Sequence, residues 1–224
     1  MLETIIEWDK AWLLAINGCN SSFFDHLMYL ISDKYVWIPL YLSMIFLLIR
    51  SKRYDAVYGI LAVALTILLA DQFASGFCKP FFERLRPTHD PSMLPFLHIV
   101  KGYTCGLYGF CSSHASNTWG IAVLTALLFK NRTYTIVVAT WAALNCYSRM
   151  YLGVHYPLDI LCGGLSGALF GWIAYRLFLL CPPIAKGHLT PSESNKIVTT
   201  NVKYVVFVYA LTLLVMVASF LVCK

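Results

Sequence analysis

Residues 56–77 read AVYGILAVALTILLADQFASGF, an apolar run in which Asp71 is the only charge. A helix of this length spans about 30 Å of hydrocarbon at roughly 1.5 Å per residue, with every backbone hydrogen bond made internally. Upstream, residues 36–49 form another run, stopped by Arg50-Ser51-Lys52-Arg53. Downstream, residues 115–129, 134–147, 158–180 and 205–222 repeat the pattern. The sequence therefore predicts an all-α, polytopic membrane bundle of about six transmembrane helices, forming one domain over residues 1–224. Composition agrees: 59% of the 224 residues are hydrophobic and 12% are charged. Soluble domains average about 25% charged, so this chain lacks the polar surface to cover a water-facing core. The same figures exclude disorder, a coiled coil and a disulfide scaffold.

The segments outside the spans read differently. In residues 3–16, Ile5, Ile6, Trp8, Trp12, Leu13 and Ile16 gather near one helical face, while Glu3, Glu7, Asp9 and Lys10 occupy much of the rest. This pattern predicts an amphipathic helix lying in the membrane interface and ending at Asn17-Gly18, within an interfacial segment 1–34. Residues 23–31 are too short to span alone. Residues 181–203 predict a polar cytoplasmic linker.

The net charge of +6 does not signal nucleic-acid binding, because most basic residues flank apolar runs and no basic stretch interleaves with aromatics. Basic residues divide nine against eight between the two faces; with Lys79, Arg86 and Arg149 set aside for chemistry, the division becomes nine against five. Both termini and the loops at 79–114 and 149–155 are therefore expected on the extracytoplasmic side. The eight cysteines show no metal spacing; Cys105 and Cys111 share a loop and read either as free thiols or as a bridge.

Three short segments hold nearly all the unusual residues: Lys79 to Pro87, Cys111-Ser112-Ser113-His114, and Ser148-Arg149 to His155 and Asp159. All three fall at span ends on one face. Lys79, Arg86 and Arg149 converging there favour a dianion, with arginine forks matching phosphate oxygens. Ser112 and Ser113 sit where a helix begins, and its free N–H groups favour an anion. Of His114 and His155, one can attack phosphorus and the other can protonate a leaving oxygen. Asp159, one turn after His155, can take the proton of one ring nitrogen and leave the other its lone pair. Singly, each feature has a plainer reading as an anchor, a cap or a local pair. Together they point to a phosphate site.

These segments resemble the signature of the type 2 phosphatidic acid phosphatase (PAP2) superfamily, K-x6-R-P, P-S-G-H and S-R-x5-H-x3-D. Lys79, Arg86 and Pro87 match the first element, and Ser148, Arg149, His155 and Asp159 the third. In the second, Cys111 stands where proline is usual and Ser113 where glycine is usual. The resemblance covers residues 36–180. It implies a metal-independent lipid phosphatase in which His155 forms a phosphohistidine, Asp159 orients it and His114 protonates the leaving group. Lys79, Arg86, Ser112, Ser113 and Arg149 would bind the phosphoryl oxygens, and no cofactor is expected. The expected partners are the bilayer and a membrane lipid phosphate: undecaprenyl pyrophosphate, a lipid A phosphate, phosphatidylglycerophosphate or phosphatidic acid. An extracytoplasmic site on a bacterial inner membrane fits the first two better. A lipid phosphotransferase on the same residues, or an anion transporter, are the alternatives. Asp71, two turns before Lys79, reads as a partner of the site or as a structural polar group.

Overall fold

The structure, a computed structural model, describes residues 2–182 and 189–222. Residues 183–188 of the expected linker lie outside the described residues. The chain is helical almost throughout, with one isolated bridge, Leu85 to Tyr108, in place of any strand among the described residues.

The helices are α1 (Leu2–Gly18), α2 (Ser22–Ser32), α3 (Ile38–Lys52), α4 (Ala56–Asp71), α5 (Lys79–Phe82), α6 (Ser113–Phe129), α7 (Arg132–Tyr151), α8 (Pro157–Phe178) and α9 (Pro191–Val222). A π-helical stretch, Gln72–Cys78, joins α4 to α5 without a break. Among the described residues, three stretches are long and apolar enough to cross a membrane: Ile38–Phe82, which folds back at Arg53 into two helices, Pro157–Phe178 and Pro191–Val222.

Local chemistry sets several helix starts. Ser21, Ser112 and Asn131 cap α2, α6 and α7 by accepting from the N–H groups of Phe24, Ala115 and Tyr134. The expected linker is shorter than the sequence reading gave it, because α9 begins at Pro191 rather than near Val205. Thr190 and Glu193 form the reason: Glu193 Oε2 accepts from Thr190 N at 2.8 Å and Thr190 Oγ1 accepts from Glu193 N at 3.3 Å. This reciprocal box, with proline at the first helical position, starts a helix in polar sequence.

The packing that places the site is between α6 and α8. Both begin at the same end of the bundle and run side by side. A Cβ on Gly163 would stand 2.5 Å from Ser112 O, and one on Gly167 would stand 2.0 Å from Ser116 O. Glycine at this spacing lets the two backbones approach closely, as small residues do in membrane interfaces. The helix start at Ser112–His114 is thereby held against the helix start at Pro157–Asp159, and Ser112 N donates to Asp159 O at 3.0 Å.

The N-terminal helix turns a mixed polar and apolar face to the bundle. Trp8 and Trp12 are exposed, whereas Asp9, Leu13 and Asn17 are buried against the bundle. The acid and the amide have specific partners there. Asn17 Nδ2 donates to Tyr151 O at 2.7 Å and to His98 O at 2.9 Å, while its Oδ1 accepts from His98 N at 2.7 Å. The residue that was expected only to stop α1 also fastens α1 to the end of α7.

Candidate active site

Lys79 follows the π-helical stretch, in a helical line with Asp71 and Ser75. Its Nζ donates to Ser75 Oγ at 3.0 Å and to Ser113 Oγ at 2.7 Å, and Ser75 Oγ donates to Asp71 Oδ1 at 3.2 Å. Asp71 therefore reaches Lys79 through Ser75. Beyond α5, Glu83 adopts a left-handed conformation (φ 44°) and turns the chain back. Arg86 N donates to Leu107 O at 3.0 Å and Gly109 N to Arg84 O at 2.8 Å. These bonds pair the two ends of the loop and set Arg86 beside the start of α6. A Cβ at Gly109 would meet Asp159 Oδ2 at 3.0 Å and Arg86 Cγ at 3.2 Å, so glycine is what fits between the two side chains.

His155 lies in the short turn between α7 and α8 and is 1% exposed. Its Nδ1 faces Asp159 Oδ2 at 3.4 Å, and its Nε2 faces Arg86 Nη1 at 2.6 Å. Asp159 is fixed from three sides. Oδ2 also accepts from Tyr156 N at 3.0 Å, which closes the first turn of α8, and Oδ1 accepts from Arg84 Nη1 at 2.8 Å. Burial, and then the charges of Arg86, Arg149 and Lys79, hold the His155 imidazole well below its ordinary value of 6.5. At neutral pH the ring is uncharged. A proton on Nδ1 directed at Asp159 leaves Nε2 with the lone pair that accepts from Arg86.

Arg149, at the last turn of α7, is 1% exposed. Its Nη1 donates to Tyr103 OH at 2.8 Å and to Ser32 Oγ, and its Nη2 lies 3.1 Å from Cys105 Sγ. The Nε–H groups of Arg86 and Arg149 are buried and have no hydrogen-bond partner among the described residues. Buried donors of this kind on two cations suit an anion that accepts from both. His114, in the first turn of α6, stands close enough to Arg149, His155, Arg86 and Lys79 to feel their charges.

Every residue singled out from the sequence thus falls in one cluster. Ser112 is already engaged within the fold: its N–H bonds Asp159 O and its Oγ caps α6, so its hydroxyl hydrogen is the donor left to it. Cys105 and Cys111 are free thiols. The first lies at Arg149, and the second packs with Ala74 and Cys78. Sequence reasoning missed Ser75, Tyr103, Arg84 and Asp9. Ser75 was legible from its spacing, four residues from both Asp71 and Lys79; the others depend on loop geometry and long-range contact.

Below the cluster, a cavity of about 550 Å³ opens between α3, α4, α6 and α7. It runs from Ser113 and His114 to Phe129 at the far end of α6, with Met44, Leu48, Ile67 and Ile121 among its apolar walls.

A profile of the PAP2 superfamily matches residues 59–181. The chain is 37% identical over 177 residues to the lipid A 4'-phosphatase of Bacteroides thetaiotaomicron, covering 78% of this chain and 79% of that protein. It is likewise 37% identical over 179 residues to the lipid A 4'-phosphatase of Porphyromonas gingivalis, covering 80% and 76%. The crystal structure of Aquifex aeolicus LpxE superposes with a TM-score of 0.55 at 27% identity, covering 74% of this chain and 93% of that one.

Proposed function

Because this chain belongs to the PAP2 superfamily, we propose that it is an integral-membrane lipid phosphatase that hydrolyses a phosphate ester on a lipid A-type glycolipid. The observation that carries the reading is the cavity. Ser113 and His114, at the edge of the buried cluster of cations and imidazoles, also line a mostly apolar space that follows α6. A phosphate held among Lys79, Arg86 and Arg149 can keep its lipid chain in that space. The choice of lipid A among lipid phosphates rests on the two relatives that match about four-fifths of the chain.

In this reading α3, α4, α6, α7, α8 and α9 are six spans of a bacterial inner membrane. The site and both termini face the extracytoplasmic side, and Trp8 and Trp12 of α1 sit in the interface. Lys79, Arg86 and Arg149 neutralise the phosphoryl oxygens, with the hydroxyls of Ser112 and Ser113 beside them. His155 Nε2 forms a bond to phosphorus as the P–O bond to the lipid breaks. The bound phosphate offsets the cations around His114 and lets it hold a proton; the electron pair leaves on the lipid oxygen, which takes that proton from His114. Asp159 holds Nδ1–H and stabilises the charge that the ring acquires. His114 then removes a proton from water, the water oxygen attacks phosphorus, the N–P bond breaks, and phosphate and His155 are restored. The cations supply the electrostatic stabilisation, so no metal is assigned a step.

Purified protein in detergent, supplied separately with lipid A, undecaprenyl diphosphate, phosphatidylglycerophosphate and phosphatidic acid, tests the proposal by phosphate release. Lipid A is expected to be turned over with the highest kcat/KM. Equal efficiency on a water-soluble phosphomonoester would contradict the lipid reading.

A further inference from the structure

The His155–Asp159 pair does not end at Asp159. Arg84 Nη1 donates to Asp159 Oδ1 at 2.8 Å, and Arg84 Nη2 donates to Asp9 Oδ2 at 2.6 Å. The guanidinium also lies over the Tyr156 ring, 4.1 Å from its centroid. Asp9 Oδ1 in turn accepts from Leu158 N at 2.8 Å, in the first turn of α8. Asp9 is 4% exposed and Asp159 is fully buried. A residue of α1 thus completes the helix start that carries Asp159, and a single guanidinium joins the two acids.

We propose that Arg84 and Asp9 are positioning residues for the nucleophile, so that α1 is part of the catalytic apparatus as well as a contact with the membrane. The claim rests on the phosphatase reading above. Its physical basis is charge and orientation together. Arg84 fixes one oxygen of Asp159 so that the other faces Nδ1 of His155. Alone, however, its positive charge would cancel that of Asp159. With Asp9 added, Asp159, Arg84 and Asp9 carry a net charge of −1 beside the ring. As Nε2 bonds to phosphorus, positive charge appears on the imidazole, and this net negative charge stabilises it. Because that charge develops only during attack, Asp9 acts on kcat and leaves substrate binding alone.

The test uses the full-length protein in detergent with lipid A as substrate. Asp9→Asn keeps the shape and the acceptor for Leu158 N but removes the charge. Its kcat is expected to fall about tenfold, in the range seen for groups that orient a ligating histidine, with KM and apparent Tm unchanged. Asp9→Glu keeps the charge and is expected to retain most of the turnover. Arg84→Lys, which offers one ammonium in place of a fork, should fall between wild type and Arg84→Gln. Lys10→Ala is the control, since it loosens α1 from the same loop by removing the bonds of Lys10 to Asp90 and Ser92 without touching the chain of charges. Its kcat should match wild type. Three results overturn the proposal: full kcat in Asp9→Asn, equal losses in Asp9→Asn and Asp9→Glu, or a loss in Lys10→Ala as large as in Asp9→Asn. Wild-type protein that releases no phosphate from lipid A would instead sink the functional reading, a separate and recognisable outcome.

Discussion

Arg86 Nη1 stands 2.6 Å from Nε2 of His155, the ring nitrogen turned away from Asp159. The lone pair assigned to attack phosphorus accepts a hydrogen bond from a cation assigned to bind the phosphoryl oxygens. A phosphate entering the site competes for that guanidinium, and as Arg86 turns to the incoming oxygens it frees the nitrogen. Arg86→Gln should lower kcat/KM about 10²- to 10³-fold, the usual loss for one donor of a charge-stabilising site. Arg86→Lys should recover little of it, because a point charge does not replace the fork. Steady-state phosphate release measures both. Near wild-type activity in Arg86→Lys would show that charge alone suffices.

The role of His114 depends on the leaving group. His114→Gln should slow hydrolysis of an alkyl phosphate lipid about 10²- to 10⁴-fold, because the departing alkoxide needs a proton. An aryl phosphate, whose leaving group departs as a stable phenolate, should be affected far less. Equal losses on both substrates would remove His114 from the proton-donor role.

Close approach of α6 and α8 can be tested at Gly167, where a Cβ would meet Ser116 O at 2.0 Å. The clash is with backbone, so the helices must part. Gly167→Ala should cost about 1–3 kcal/mol, as overpacking does, lower the apparent Tm in detergent, and reduce turnover by separating His114 from His155. Gly18→Ala, where a Cβ meets nothing within 4 Å, should leave both unchanged.

Stability should fall in mild acid. His155 is held well below its ordinary value of 6.5 in the fold, and it regains that value on unfolding. Below about pH 6.5 the unfolded chain therefore binds a proton that the folded chain does not, and the unfolded state gains. Apparent Tm should decline as pH drops from 7 toward 5, about the window in which the unfolded imidazole charges. His155→Gln should flatten that decline. A slope unchanged in the variant would assign the effect to other groups.

The helices, and the meeting of three chemistry-bearing segments at one end of the bundle, were legible because they rest on local regularities: long apolar runs, and charges or imidazoles at fixed spacings from their ends. The start of α9 was legible too, in Thr190-Pro191-Ser192-Glu193, although hydropathy alone hid it. What the sequence concealed was long-range. Asp9 sits among exposed neighbours in a segment that reads as amphipathic, and only its contact with Arg84 and Leu158 shows why an acid is buried there. Arg84 looked like one more loop cation. The short pairing of residues 84–86 with 107–109 turns it toward Asp159. Tyr103, in a loop, and Ser32, at the end of α2, both reach Arg149, and no spacing in the chain announces that meeting.

Transfer of the phosphoryl group to His155 is the step on which the whole account depends. It is tested most directly by rapid acid-free quenching of the protein with ³²P-labelled lipid A, followed by peptide mapping. The expected result is a label that is stable in base, lost in acid, located on the peptide containing His155, and missing from His155→Ala, which should also release no phosphate. Phosphate release that persists in His155→Ala, or a label on another residue, would contradict it.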